Sequence, residues 1–152
     1  MYSQGMGDNH IPGVTKPYIY VGTWRSLFGW HKEDLDLYSI NYLHVGEPKF
    51  WYGVDLDCNE DFENLAKAYF DDLHRECSEF LRHKTTLIEP HVLLKHNIRM
   101  HKVVQRPREF IISRAKAYHS GFNAGFNIAE AVNFALPSWI RLAKDAGYCR
   151  CE

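Results

Sequence analysis

The stretch Trp30–Tyr52, WHKEDLDLYSINYLHVGEPKFWY, decides how this chain is read. His31 and Glu33 sit two residues apart, and on a strand an i, i+2 pair points to one face. Tyr38 to Val45 alternates as a strand does, and Gly46-Glu47-Pro48 is a turn signal. Lys49 to Val54 is strand-like again, with Lys49 and Trp51 on one face. An imidazole and a carboxylate on one face can share a metal ion. A second histidine from elsewhere would complete a 2-His-1-carboxylate facial triad, which leaves positions open on Fe(II) for a cosubstrate and oxygen. The same spacing also fits a strand with one buried histidine and one solvated glutamate, and the pair alone does not choose. Asn41 and Lys49 stand at strand-compatible positions downstream. A lysine there suits the far carboxylate of a dicarboxylate ligand. At 4 Å and an effective dielectric near 20, such a pair is worth roughly 4 kcal/mol before desolvation.

The rest of the chain bounds the problem. Its 152 residues are the length of one domain, and a chain of that size buries about 70% of its unfolded surface. Hydrophobic content of 45% with 14% aromatics describes a globular protein. The formal net charge of −1 supplies no global field for nucleic acid, so no direct sequence-specific binding to it is expected. No apolar run reaches the roughly 18 residues of a membrane helix, and residues 1–12 lack a signal peptide's apolar segment. Those first residues are polar and Gly-rich and read as a flexible lead-in to a domain over 13–152.

Along the chain, Pro17 to Val21 reads as a strand, Thr23 to Trp30 as a connection or short strand, and Asp34-Leu35-Asp36 as a turn. The period then changes: Phe62, Leu65, Ala66, Tyr69 and Phe70 make the apolar stripe of a helix. A short helix over Arg75 to Leu81 and a third from Pro90 through Lys95 follow. Val103 to Gln105 and Glu109 to Ser113 return to strand character. His119 to Asn127 carries two Gly-Phe-Asn units and reads as a loop, and Ile128 to Ala135 fits helix or strand. Pro137 opens a final helix that Gly147 ends.

Four cysteines suggest a second metal centre. Cys149 and Cys151 lie too close for an easy mutual disulfide, which favours intracellular metal binding over a secreted disulfide framework. Cys77, His83, Cys149 and Cys151 would make a closed thiolate and imidazole set, the signature of structural zinc. Unrelated thiols plus a helix histidine fit the spacing as well. Cys58 has no partner in this scheme.

From Gly13 through Tyr20, then WRSLFGWHKEDLDLYSINYLHVGEPKFWY, FLRHK, YHSGFNAGFN, AEAVNFA and the terminal CRC, the chain resembles the jumonji-C (JmjC) lysine demethylases. It is most similar to the subfamily that pairs JmjN with JmjC domains and acts on trimethylated lysines of histone H3. The resemblance implies a mostly β fold with helical insertions. In it, a double-stranded β-helix of the jelly-roll or cupin type, incomplete here, carries a C-terminal helix and a zinc site. It implies iron ligands His31, Glu33 and His119, with Asn41 and Lys49 holding 2-oxoglutarate. His10, His74, His91, His96 and His101 then read as surface residues and His44 as a core or rim histidine. It implies a methylammonium pocket of Gly13, Tyr20, Glu33, Ala131 and Asn133, held together by polarised C–H contacts and aromatic faces. The Cys-x5-His and C-x-C pattern of the subfamily favours zinc at Cys77, His83, Cys149 and Cys151, and the family favours strand for Ile128 to Ala135.

The implied reaction is Fe(II)- and 2-oxoglutarate-dependent oxidative demethylation of trimethyl- or dimethyl-lysine of the lysine-9 or lysine-36 type on histone H3. Oxygen is consumed and formaldehyde released, in the nucleus, with chromatin reached through other domains or proteins and no membrane involved. Two departures stand out. The family also uses a tyrosine upstream of every residue present, within a part that includes the JmjN segment. Arg114-Ala115-Lys116-Ala117 puts two cations where relatives carry Phe-Pro-Tyr-Gly. Positive charge beside a divalent ion opposes its binding, unless these side chains face solvent. Both departures favour an alternative, an impaired JmjC module acting as a chromatin-binding or scaffold part.

Overall fold

The signals around His31 become elements in the computed structural model, which describes residues 13–151. The lead-in expected over residues 1–12 lies outside the described residues. In chain order come β1 (Tyr18–Gly22), β2 (Leu27–His31), a tight turn at Asp34–Asp36, β3 (Tyr38–Gly46) and β4 (Lys49–Val54). The helical insertion follows as α1 (Asn59–Tyr69), α2 (Asp71–Glu76) and α3 (Pro90–Lys95). Then come β5 (Met100–Gln105), β6 (Phe110–Ser113), β7 (His119–Asn123), β8 (Asn127–Phe134) and α4 (Trp139–Ala143).

The strands form two four-stranded antiparallel sheets, ordered β1-β8-β3-β6 and β2-β7-β4-β5. This corrects the expected double-stranded β-helix barrel: among the described residues the fold is mixed α and β, and no closed barrel forms. Hydrogen bonding gives the reason. The edge of β2 is already used, because the N–H of Gly29 donates to Lys84 O at 3.1 Å and that of Trp30 to Thr86 O at 2.8 Å. A strand edge capped by a loop has no ladder left to offer the other sheet.

Three local readings also change, one being the final helix, expected from Pro137 to Gly147 but covering only Trp139–Ala143. The helix expected over Arg75 to Leu81 is interrupted at Cys77, whose extended backbone ends α2 before a 3₁₀ turn at Phe80–His83. The first Gly-Phe-Asn unit lies in strand β7 and only the second reaches a turn. Gly121 is needed there, because a Cβ would run into the Phe50 carbonyl and the Phe28 ring. Gly46 closes the β3 end at a φ of +98°, which glycine adopts freely.

The apolar core does not fill the space between the sheets. It gathers at one end, where Phe62, Leu65 and Ala66 of α1 meet Trp30, Phe80, Leu93, Ile98 and Tyr118. Trp30 and Phe62 rings pack at 5.3 Å between centroids, and the Trp30 indole N–H donates to Ile88 O. Between the sheets the buried side chains are mostly polar, Asn41, Lys49, Gln105, His119, Asn123 and Asn127, with Leu43 and Ala129 among them. A buried polar set of this size is costly unless its members satisfy one another or a ligand.

Candidate metal centre and ligand cavity

His31 and His119 face each other directly across the β2–β7 ladder. Glu33 lies beyond the end of β2, but its backbone is still extended, with φ −65° and ψ 154°, so the two-residue spacing still aims it at the same side. The candidate ligand atoms of His31, Glu33 and His119 all lie within 4.8 Å of one another. His119 Nε2 is 3.4 Å from Glu33 Oε1, and the two imidazole centroids are 4.3 Å apart.

The remaining ring nitrogens are also assigned by their partners. His31 Nδ1 is 2.8 Å from Gly29 O, and His119 Nδ1 is 3.0 Å from Ala117 O. A carbonyl only accepts, so each Nδ1 carries a hydrogen and each Nε2 faces inward, that of His31 with a free lone pair and that of His119 with the hydrogen it directs at Glu33, which a metal ion would displace. Burial, and then the neighbouring His119, hold His31 down to about 3, so it is neutral at pH 7. Burial pushes the Glu33 carboxyl up. The hydrogen bond and charge of His119 outweigh it and hold the group well below the usual carboxylate range. A neutral His31 imidazole and an ionised carboxylate, with both Nε2 atoms facing inward, are the donor types a divalent ion of the Fe(II) type requires.

The triad opens into a cavity of about 570 Å³ lined by Gly13, Tyr20, Asn41, Lys49, Asn123, Ala131 and Asn133, among others. Lys49 is 6% exposed. Its ammonium donates to Asn123 Oδ1 at 2.5 Å and pairs with no carboxylate among the described residues. Burial holds it down to about 8. Asn127 Nδ2 donates to the same Asn123 oxygen at 2.8 Å, and Asn123 Nδ2 donates to Ser26 Oγ. Asn41 Oδ1 accepts from Gln105, which in turn accepts from the Trp51 indole. Ser39 and Ser113 hydrogen-bond to each other beside Asn41.

Tyr20 is half exposed at the cavity edge, 6.4 Å from Tyr18 between ring centroids. Ala131 lies opposite Tyr18 on one side and Asn41 on the other. The Asn133 N–H donates to Gly13 O at 2.6 Å, and Asn133 Nδ2 lies 3.4 Å from Glu33 Oε2. The nine residues that the resemblance implies for iron, cosubstrate and methyl-lysine all line this one cavity.

A second cluster joins Cys77, His83, Cys149 and Cys151, again within 4.8 Å of one another. Tetrahedral zinc with bonds near 2.3 Å places two sulfurs about 3.8 Å apart. Cys77 and Cys149 sulfurs are 3.8 Å apart, and His83 Nε2 is 3.2 Å from Cys149 Sγ. The backbone N–H of Cys151, first, and the His83 ring bring the Cys149 thiol down to about 7, which favours the thiolate that zinc binds. The donor set and spacing fit structural zinc. Cys58 is buried in the core.

Several site residues lie in or near the matched stretches FLRHK and YHSGFNAGFN but were not singled out for chemistry. Lys84, Asn123, Asn127 and Gln105 look like ordinary loop and strand residues, although the doubled Gly-Phe-Asn was a cue to two of them. Lys84 lines the cavity, and its charge acts on both His31 and Glu33. Arg114 points to solvent, and Lys116 gives its carbonyl to Asn59 Nδ2. Of the remaining histidines, His44 pairs with Glu130 and His101 with Asp55, both away from the cavity.

Residues 18–134 match the protein family described as JmjC domain, hydroxylase. The chain is 50% identical over 141 residues to the human probable lysine-specific demethylase 4F, covering 93% of this chain and 22% of that protein. It is 49% identical over 141 residues to rat lysine-specific demethylase 4D, covering 93% and 28%. Against mouse lysine-specific demethylase 4B it is 48% identical over 142 residues, covering 93% and 13%. The chain thus spans between 13% and 28% of the length of these relatives.

Proposed function

This chain belongs to the JmjC-domain hydroxylase family, and on that premise we propose that it is the Fe(II)- and 2-oxoglutarate-dependent centre of a histone lysine demethylase. The observation that carries the reading is the His31–Glu33–His119 cluster opening onto a buried lysine that pairs with no carboxylate among the described residues. The substrate is trimethyl- or dimethyl-lysine on the histone H3 tail, of the lysine-9 or lysine-36 type, and the place of action is nuclear chromatin. The similarity to lysine-specific demethylases 4F, 4D and 4B supports this choice.

His31 Nε2, His119 Nε2 and the Glu33 carboxylate would hold the iron. Bound there, Fe(II) supplies oxygen chemistry that oxidises an N-methyl group while 2-oxoglutarate loses carbon dioxide, and the methyl carbon leaves as formaldehyde. Lys49 supplies a fixed cation for the far carboxylate of 2-oxoglutarate, and Asn123 sets its direction. Asn41 contributes a side-chain amide on the same side. Tyr20, Gly13, Ala131 and Asn133 form the recess for the methylated ammonium. A quaternary ammonium has no N–H, so aromatic faces and oxygen atoms suit it better than a single acceptor does. Zinc at Cys77, His83, Cys149 and Cys151 serves structure alone. Residues 13–152 would be the C-terminal part of the JmjC catalytic domain, including its zinc-binding segment.

The test is formaldehyde release from a trimethyl-lysine H3 peptide supplied with Fe(II), 2-oxoglutarate and oxygen. Release that disappears in His31→Ala supports the reading. A folded chain that releases none contradicts it and favours the scaffold alternative.

A further inference from the structure

The metal-binding carboxylate has a weak hold of its own. Glu33 stands beyond the end of β2, and the side-chain donor nearest its second oxygen is Asn133 at 3.4 Å. The turn that follows is also unfavourable. Leu35 and Asp36 both have left-handed φ, at 53° and 52°, and neither is glycine. Such a turn relaxes unless its surroundings hold it.

Two side chains hold it from outside. The Arg82 guanidinium is almost fully buried and uses three nitrogens in one fork. Nη1 donates to the Glu33 carbonyl at 2.7 Å, Nη2 to Asp36 Oδ1 at 2.8 Å, and Nε to Glu79 Oε2 at 2.6 Å. The Trp139 indole N–H donates to the Leu35 carbonyl at 2.9 Å. Residues 33, 35 and 36 are therefore each fixed by a donor from a distant segment. Arg82 directly precedes His83, and Trp139 begins α4, which leads to Cys149 and Cys151. Both limbs of the cysteine–histidine cluster thus press on the turn that carries Glu33.

The geometry points to Arg82 and Trp139 as positioning residues that aim the Glu33 carboxylate at the metal. This role rests on the proposed metal triad. Lysine at position 82 would keep the charge but not the planar fork, so it cannot serve three acceptors at once.

The test is Mn(II) titration of the whole zinc-loaded chain, read as loss of the free-ion electron paramagnetic resonance signal. Mn(II) prefers oxygen and nitrogen donors, so the thiolate site does not compete for it. Zinc content and thermal melting are followed on the same samples. Wild type binds one Mn(II), and His31→Ala does not. Arg82→Lys retains its zinc and binds Mn(II) about tenfold or more weakly, the usual scale for losing an outer-shell partner. Trp139→Phe retains its zinc and weakens binding about threefold, the smaller effect of losing one neutral hydrogen bond.

A purely structural role would lower melting and leave Mn(II) affinity alone. Unchanged affinity in a folded Arg82→Lys therefore overturns the positioning role. If Arg82→Lys does not fold, unchanged affinity in Trp139→Phe overturns it instead. Failure of wild type to bind Mn(II) would sink the triad reading, and the positioning role with it.

Discussion

Lys49 is a buried ammonium whose one named hydrogen bond goes to a neutral amide. Such a group is held at a cost that an anionic ligand would offset. Lys49→Ala should weaken 2-oxoglutarate binding by roughly ten- to a hundredfold, the range of a charge-assisted hydrogen bond, as read by calorimetry with Mn(II) present. Asn123→Asp, nearly the same shape, would place a carboxylate against that ammonium. It should lower affinity at least as much with the chain still folded; unchanged binding would remove Lys49 from the anion site. The pH dependence follows from burial, which holds Lys49 down to about 8. Below that pH the folded lysine is charged. Above it, binding must recruit a proton, and affinity should fall by up to about tenfold per pH unit. Stability shifts the other way. Between about 8 and the ordinary lysine value the unfolded chain holds the extra proton, so this residue's contribution to folding rises with pH. Calorimetry at pH 7, 8 and 9 that shows constant affinity would contradict this assignment.

The elements divide into those whose own sequence specifies them and those defined by distant partners. The α1 stripe was readable in part: Phe62, Leu65 and Ala66 are buried where helical spacing predicts, but Tyr69 is exposed and Phe70 lies past the helix end. Phe62→Ala should cost about 3–5 kcal/mol, measured by urea unfolding. A loss below about 1 kcal/mol would place the core elsewhere. Strand β7 was less legible. Its glycine and asparagine are poor strand formers, and they are used because Phe28 crowds Gly121 while Asn123 must reach Lys49. The break at Cys77 was hidden for a related reason: a helix-compatible run is interrupted so that a thiol meets residues some seventy positions away. Stripping zinc with a chelator should release α4 and the 77–83 segment together. Hydrogen exchange should then rise in both, and the loss of folding energy should be on the order of 10 kcal/mol. Protection that survives metal removal would contradict a structural zinc site.

At the scale of the molecule, two sheets enclose an interior rich in polar side chains while the main apolar cluster sits at one end under the helices. Alternation marked β3 and β4, whereas β7 was read as a loop and β8 was called a strand only on the family resemblance. Whether the sheets close into a barrel depends on edge pairing, which local periodicity does not encode. The Lys84 and Thr86 carbonyls that occupy the β2 edge are more than fifty residues away from it. The triad was legible only through the family resemblance, since the local histidine–glutamate spacing also fits an ordinary strand and His119 was one of nine histidines until its YHSGFNAGFN stretch was matched. The amides that orient Lys49 and the arginine that holds the Glu33 turn were not, since each acts only through a long-range contact. The central claim is that one chain holds two chemically different metal centres, one closed by thiolates and one open to a ligand cavity. Crystals grown with Zn(II) and Mn(II), with anomalous scattering collected at both absorption edges, test it most directly. The account predicts a zinc peak among Cys77, His83, Cys149 and Cys151, and a separate manganese peak against His31, Glu33 and His119. A well-ordered crystal with no manganese peak at the triad would contradict it.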